Sequence, residues 1–350
     1  MFSFRKANVC LAMGPLLRRM NSGGSVDAQL VKKLRDSSGA PMMDCKKALG
    51  ACGGDMGKAM DWLRAKGIAR AAAASDRVAT EGLVGILSDS RGITLVEVNS
   101  ETDFVGKNAD FHNFVGLVAR SAADFSSSAS GEAFAKDGKH VVIAPEALLA
   151  HNGGAVQNAL GLAVATIREN IVIKRIAALQ PGSGSYLASY VHGKIGGVEG
   201  AGSNLSLGKT VSVVCLNAPE AKTSVRPQLE ELGRKVAMHV VAANPKYCLE
   251  SEVDSTFLQR ERDIIKEQMA GDTKNASKKA DVLEKVREGK LKKRLSEVCL
   301  ESQPCVVEEG FPVVSKYLQD AGKVIGAGNI KVTAFRRWGL GETHTPTAQQ

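Results

Sequence analysis

Glu97-Val98-Asn99-Ser100-Glu101-Thr102-Asp103-Phe104-Val105 stands between a β-rich run and an amphipathic helical pattern. Upstream, residues 80–87 and 92–99 read as strands, and Ser88-Asp89-Ser90-Arg91 between them has the composition of a hairpin connection. Val84, Ile86, Ile93, Leu95, Val96 and Val98 supply the buried faces. Downstream, Phe104, Phe111, Phe114, Val115 and Val118 recur with helical spacing. Two readings of the junction are open. In one, Thr102 or Asp103 caps the helix and Phe104 is core. In the other, the segment is a rigid projecting tip, a carboxylate beside an aromatic wedge, aimed at a partner protein.

Further along, residues 126–154 look like a loosened insert, with Ser126 to Ser130 loop-like. Ala155 to Arg168 predicts a helix with Val156, Leu160, Ala163 and Ile167 on one face, and Ile171 to Leu179 predicts a strand. Residues 79–180 are therefore expected to form one small α+β subdomain. A second is expected over 181–340. Its strand candidates are Tyr186 to His192, Thr210 to Leu216 and Asn329 to Trp338, its last helix starts near Val313, and residues 196–208 form a glycine-rich connection. Gly208-Lys209-Thr210 lacks the glycine of a phosphate loop five residues earlier, where Ser203 stands, so no nucleotide site is assigned. Pro227 opens a helix with Leu229, Leu232, Val236, Val240 and Ala243 facing inward, and His239 falls beside that stripe, either as a hydrogen-bonded histidine at the edge of the core or as a partner contact. Residues 254–300 predict a protruding antiparallel helical hairpin, with Asp272-Thr273-Lys274-Asn275 as the turn. Over 258–296 there are 12 Lys plus Arg and 7 Asp plus Glu, a net charge of +5. Residues 341–350 read as a disordered tail.

Toward the N-terminus, three short helical patterns over 27–68 suggest a bundle of the ubiquitin-associated type. Pro41 opens the second helix, Asp55 caps the third and Gly67 ends it. This bundle is either a structural cap or a protein-docking module. Residues 69–78 are alanine-rich and basic, in the manner of a helical linker. Residues 1–26 carry Arg5, Lys6, Arg18 and Arg19, no acid and a broken apolar face, which fits a mitochondrial presequence and a matrix location.

The whole chain has 350 residues, 44% hydrophobic and 24% charged, an ordinary globular composition. No apolar run reaches the ~18–20 residues of a membrane-spanning helix. The formal net charge of +9 favours acidic partners, while aromatics at 5% argue against a base-stacking platform. Seven cysteines without CxxC spacing suggest neither a zinc site nor a disulfide framework. The residues supply no nucleophile–base pair and no metal cluster, so neither an enzyme nor a cofactor is expected.

The chain resembles translation elongation factor Ts, of the mitochondrial type, the nucleotide exchange factor of elongation factor Tu. The resemblance rests on residues 97–105 and on Leu34-Arg35-Asp36-Ser37-Ser38-Gly39-Ala40-Pro41-Met42-Met43-Asp44-Cys45-Lys46-Lys47-Ala48-Leu49. It continues through Glu169-Asn170-Ile171, Ser189-Tyr190-Val191-His192, Val236-Ala237-Met238-His239-Val240 and Gln303-Pro304. Pro41 and Gly106 depart from the family's usual residues. The resemblance implies a fold of an N-terminal three-helix bundle followed by two α+β subdomains with antiparallel sheets, the second carrying the hairpin. It implies GDP release driven by an Asp103–Phe104 tip near the partner's magnesium ion. It also implies elongation factor Tu contacts at Thr102, Asp103, Phe104 and Val105, at His239, and at Met43, Lys46 and Lys47, in a heterodimer or a dimer of heterodimers. Direct nucleic-acid binding is not expected. The other classes left open are a basic ribosome- or RNA-associated mitochondrial protein and a ubiquitin-associated adaptor.

Overall fold

The computed structural model describes residues 26–74, 76–128, 132–133, 139–195, 204–270 and 280–342. The presequence reading, the hairpin turn at 272–275 and most of the glycine-rich connection lie outside these residues. Two compact units are present, residues 1–61 and 62–350.

In the first unit, α1 (Ala28–Ser38) starts at Asp27, whose carboxylate accepts the Gln29 N–H, and stops at Gly39 in the left-handed region. α2 (Met42–Ala51) begins after Pro41 and buries Cys45, Ala48 and Leu49. Gly53 and Gly54, both at positive φ, turn the chain toward Asp55, which caps α3 (Met56–Ala74) as expected. α3 does not stop at Gly67 but runs on into the second unit. A Cβ at residue 67 would lie 1.9 Å from the Gly161 carbonyl oxygen, so this glycine permits close backbone packing rather than a turn.

The second unit contains two antiparallel sheets. β1 (Glu81–Asp89) and β2 (Gly92–Ser100) form the expected hairpin. Its turn is held by the Asp89 carboxylate, which accepts the Arg91 and Gly92 N–H groups. A 3-10 turn (Asp103–Lys107) leads into α4 (Ala109–Ser128). The region expected to be a loosened insert contains β3 (Glu132–Ala133), β4 (Lys139–Ile143) and α5 (Pro145–Ala150). Val141 and Ile143 alternate into the core, and β4 pairs with a later strand, so the insert is partly sheet. α6 (Ala155–Ile167) and β5 (Val172–Gln180) follow, then β6 (Ser185–His192), β7 (Leu205–Gly208) and β8 (Thr210–Asn217). The remaining elements are α7 (Arg226–Ala243), α8 (Ser255–Ala270), α9 (Ala280–Val298), α10 (Val314–Ile325) and β9 (Lys331–Gly339).

The first sheet has the order β3-β4-β5-β2-β1-β7 and the second β6-β8-β9. β7 differs from the expected boundary at residue 180. It pairs with β1 through Leu205↔Leu87 and Leu207↔Gly85, because Leu205 and Leu207 bury themselves in the core of the first sheet. That core lies between the sheet and α4, α5 and α6, around Leu83, Val96, Val98, Phe111, Phe114, Val115 and Val118. The second sheet buries Val214 and Leu216 against α7 and α10 through Leu229, Val236, Val240, Val314 and Leu318. The opposite faces of the two sheets meet in a third apolar layer: Val84, Ile86, Ile93, Leu95, Ala177 and Leu179 against Val211, Val213, Cys215, Ala334 and Trp338. The fold is therefore α+β with two antiparallel sheets. Gly341 and Glu342, expected in the tail, belong to the fold: the Glu342 carboxylate accepts from Arg337 and the Gly339 N–H.

Candidate functional site: an acidic–aromatic tip

β2 ends at Ser100, and the chain turns sharply instead of extending. The Ser100 hydroxyl donates to the Thr102 carbonyl, and the 3-10 turn closes with the Asn108 N–H donating to the Val105 carbonyl. His112, one turn into α4, lies 2.8 Å from the Gly106 carbonyl oxygen through its Nε2. Two carboxylates then cross between the tip and the loop before β5. Glu169 accepts the Thr102 N–H at 2.9 Å and the Thr102 hydroxyl at 2.6 Å. Glu101 accepts the Asn170 N–H at 2.7 Å and pairs with Arg77 at 3.2 Å. The Asn170 N–H, with Arg77 adding to it, holds the Glu101 carboxyl below its ordinary range. Asn170 is itself buried and donates to the Arg77 carbonyl. Arg168 takes left-handed backbone as the cap of α6, which turns residues 169 and 170 toward the tip.

This framing leaves Phe104 75% exposed with Asp103 exposed beside it. A large aromatic held out of the core by so many hydrogen bonds is not a misplaced core residue. Of the two sequence readings, the one that makes Phe104 core does not hold, since the side chain stands exposed on the turn. Thr102 is half-buried, and its hydroxyl serves Glu169. Val105 is buried in the first-sheet core, pointing inward from the turn that pushes Phe104 outward. Gly106 fits without strain, since a Cβ there would meet only ordinary contacts from 3.7 Å outward. Glu169, Asn170, Glu101 and Arg77 are the supports that sequence reasoning missed as site residues. The signal was the run Glu169-Asn170 between an apolar helix and an apolar strand.

Glu169→Ala is expected to leave the fold intact and loosen the tip. Two charge-assisted hydrogen bonds are lost at a half-buried position, about 1.5–3 kcal/mol for each such bond. Faster hydrogen exchange at the Thr102 amide, together with a lowered melting temperature, is the expected result; unchanged protection at that amide would exclude the clamp.

Met43, Lys46 and Lys47 lie on the exposed face of α2, opposite Cys45, Ala48 and Leu49, with Met43 62% exposed. His239 takes the place of a hydrogen-bonded histidine within the fold. It is fully buried, and both ring nitrogens are used. The Val306 N–H donates to Nδ1 at 3.2 Å, which leaves Nε2 to donate to the Gln303 side-chain oxygen at 2.9 Å. The Gln303 amide nitrogen donates in turn to the Glu297 carbonyl. His239 therefore fastens the loop between α9 and α10 from beneath. Burial lowers its pKa, only partly opposed by the bond to Gln303. The neutral ring's contribution to stability is fully present above the unfolded value of about 6.5 and is lost as pH falls below it, because the unfolded chain then binds the proton more readily. Melting temperature should thus decline more steeply between pH 7 and pH 5 in the native chain than in His239→Gln; parallel curves would remove His239 from the pH dependence.

Among the described residues, no group of three His, Cys, Asp or Glu side chains could hold a metal ion, and no helix is long and apolar enough to cross a membrane. On the α8–α9 hairpin, Arg294 pairs with Glu261 and Glu297, and Arg287 with Glu284, so part of its basic charge is neutralised within the arm.

The family model described as Elongation factor TS matches residues 101–342, from the tip to the end of the described chain. The chain belongs to the elongation factor Ts family. Curated relatives named Elongation factor Ts agree. That of Paramagnetospirillum magneticum is 41% identical over 317 residues, covering 91% of this chain and 92% of its own length. Those of Bradyrhizobium sp. and Rhodospirillum rubrum are each 40% identical over 318 residues, covering 91% of this chain and 93% of their own. Among the described residues of this elongation factor Ts chain, Phe104 at the tip is the most exposed aromatic side chain.

Proposed function

We propose that the family's exchange-factor role toward elongation factor Tu is carried in this chain by the Asp103–Phe104 tip, acting in mitochondrial translation. The observation that supports it is Phe104, 75% exposed on a turn clamped by Glu169 and Glu101. No covalent chemistry is required. Phe104 enters between helices of the partner's GTPase domain, and Asp103 brings fixed negative charge and hydrogen-bond acceptors toward the groups around its magnesium ion. Mg²⁺ demands near-ideal octahedral geometry, so small displacements of its ligands cost much. The protein then binds the nucleotide-free partner better than the GDP-bound one, and reciprocity requires that it weaken GDP by the same factor. Met43, Lys46 and Lys47 serve as a second contact, with the N-terminal helices as a docking module, which together imply a large interface. The basic, acid-free leader supports the mitochondrial assignment.

Stopped-flow release of a fluorescent GDP from the cognate elongation factor Tu tests this directly. Acceleration that saturates with added protein and persists at moderate salt is expected, since phosphate-driven binding would fall steeply with salt. No acceleration at saturating protein would overturn the proposal.

A further inference from the structure

β2 turns Ile93 and Leu95 toward the second sheet, and the same alternation brings Glu97 to that face. β5 does the same with Leu179, Ala177 and Arg175. Glu97 and Arg175 are direct cross-strand partners, and a register shift follows immediately after Glu97. An ion pair thus lies in an apolar layer, with Glu97 fully buried and the Arg175 side chain 15% exposed. Its other bonds all reach across to the end of β9. The second Glu97 oxygen accepts the Gly341 N–H at 2.9 Å, and Arg175 donates from Nη2 to the Gly339 carbonyl at 2.9 Å. The guanidinium carbon stands 4.5 Å from the centre of the Trp338 ring.

Apolar contact between the sheets is non-directional and tolerates small rotations. Charge-assisted hydrogen bonds to fixed backbone groups do not. A buried ion pair is a weak source of stability compared with apolar residues of the same volume, so its presence here calls for a geometric reason. β2 supplies one. Three residue steps carry β2 from Glu97 to its end at Ser100, roughly 10 Å of extended chain at about 3.3 Å per residue, and the turn that bears Asp103 is built on that end. A 10° rotation between the sheets would swing the base of the tip by about 1.7 Å at that lever arm.

We propose that Glu97 and Arg175 are positioning residues, a latch that fixes the angle between the two sheets and with it the direction in which Phe104 is presented to the partner. This rests on the exchange reading above. The test compares the full-length native chain with Glu97→Leu/Arg175→Met, which replaces the pair by apolar side chains. Melting temperature and affinity for the nucleotide-free partner are expected to stay near native, while stimulated GDP release falls about tenfold, the size of a typical coupling between sites. A merely structural pair predicts release restored together with stability, and that result would overturn the latch. If the double variant does not fold, Glu97→Gln is read in the same way. If the native chain itself fails to accelerate release, the exchange reading falls and the latch is judged separately. Spin labels at Lys107→Cys and Lys331→Cys, in a chain with Cys10 and Cys52 changed to serine, should give a narrow distance distribution that broadens when the pair is removed. Equal widths would overturn it.

Discussion

Phe104→Ala is expected to slow stimulated GDP release at least about tenfold while leaving the fold and melting temperature unchanged, the factor that ~1.4 kcal/mol of lost differential binding produces. The side chain is exposed in the free protein, so its removal opens no cavity. What is lost is the apolar area that Phe104 would bury in the partner, about 1.5–3 kcal/mol for a phenylalanine. Only the part realised in the nucleotide-free complex accelerates release. The effect should therefore appear in the maximal release rate rather than only in the concentration at half-effect. Asp103→Ala should act in the same direction but less. Native-rate release from the Phe104 variant at saturation would remove the wedge from the mechanism, whatever the affinity.

Gly82→Val should be the most damaging single change to stability near the site, costing about 3 kcal/mol or more from backbone strain and overpacking together. Gly82 has φ +124 and lies opposite Asn99 in the hairpin. A Cβ there would stand 2.2 Å from the Val98 carbonyl oxygen and 2.8 Å from the Asn99 Cα. Both atoms are backbone, so relief requires parting β1 from β2 directly beneath the tip. Gly106→Ala is the control, because the added methyl meets only ordinary contacts. Chemical denaturation of the two variants decides the matter; equal midpoints would mean that the hairpin base yields where the geometry says that it is rigid.

Local patterns carried most of the fold. The hairpin turn, the helix cap at Asp55, and the apolar stripes of α4 and α7 are short-range signals that survive packing. What escaped was set by distant contacts. Gly67 has the identity of a helix terminator, yet it marks a close approach to Gly161, 94 positions away in the chain. Nothing within four residues of Leu205 announces that it pairs with Leu87. The same division holds at the site. Phe104 was legible as either core or wedge, and the supports that decide between them, Glu169 and Asn170, lie far along the sequence. The burial of Val105 and His239 was not legible for a related reason. A valine in a motif and a histidine beside a stripe look the same whether they face outward or inward, and only the turn at Asp103 and the loop above His239 fix the direction.

The path of β7 has a consequence for how the molecule is made. The chain leaves the second sheet after β6, crosses to complete the first sheet, and returns for β8. During synthesis, β1 must wait for residues 205–208, long after its neighbour β2 has emerged. Until then its open backbone groups are available to any stray strand, including that of another nascent copy. The two subdomains thus share a strand as well as an apolar layer, and neither can be excised at residue 180 as a self-sufficient piece.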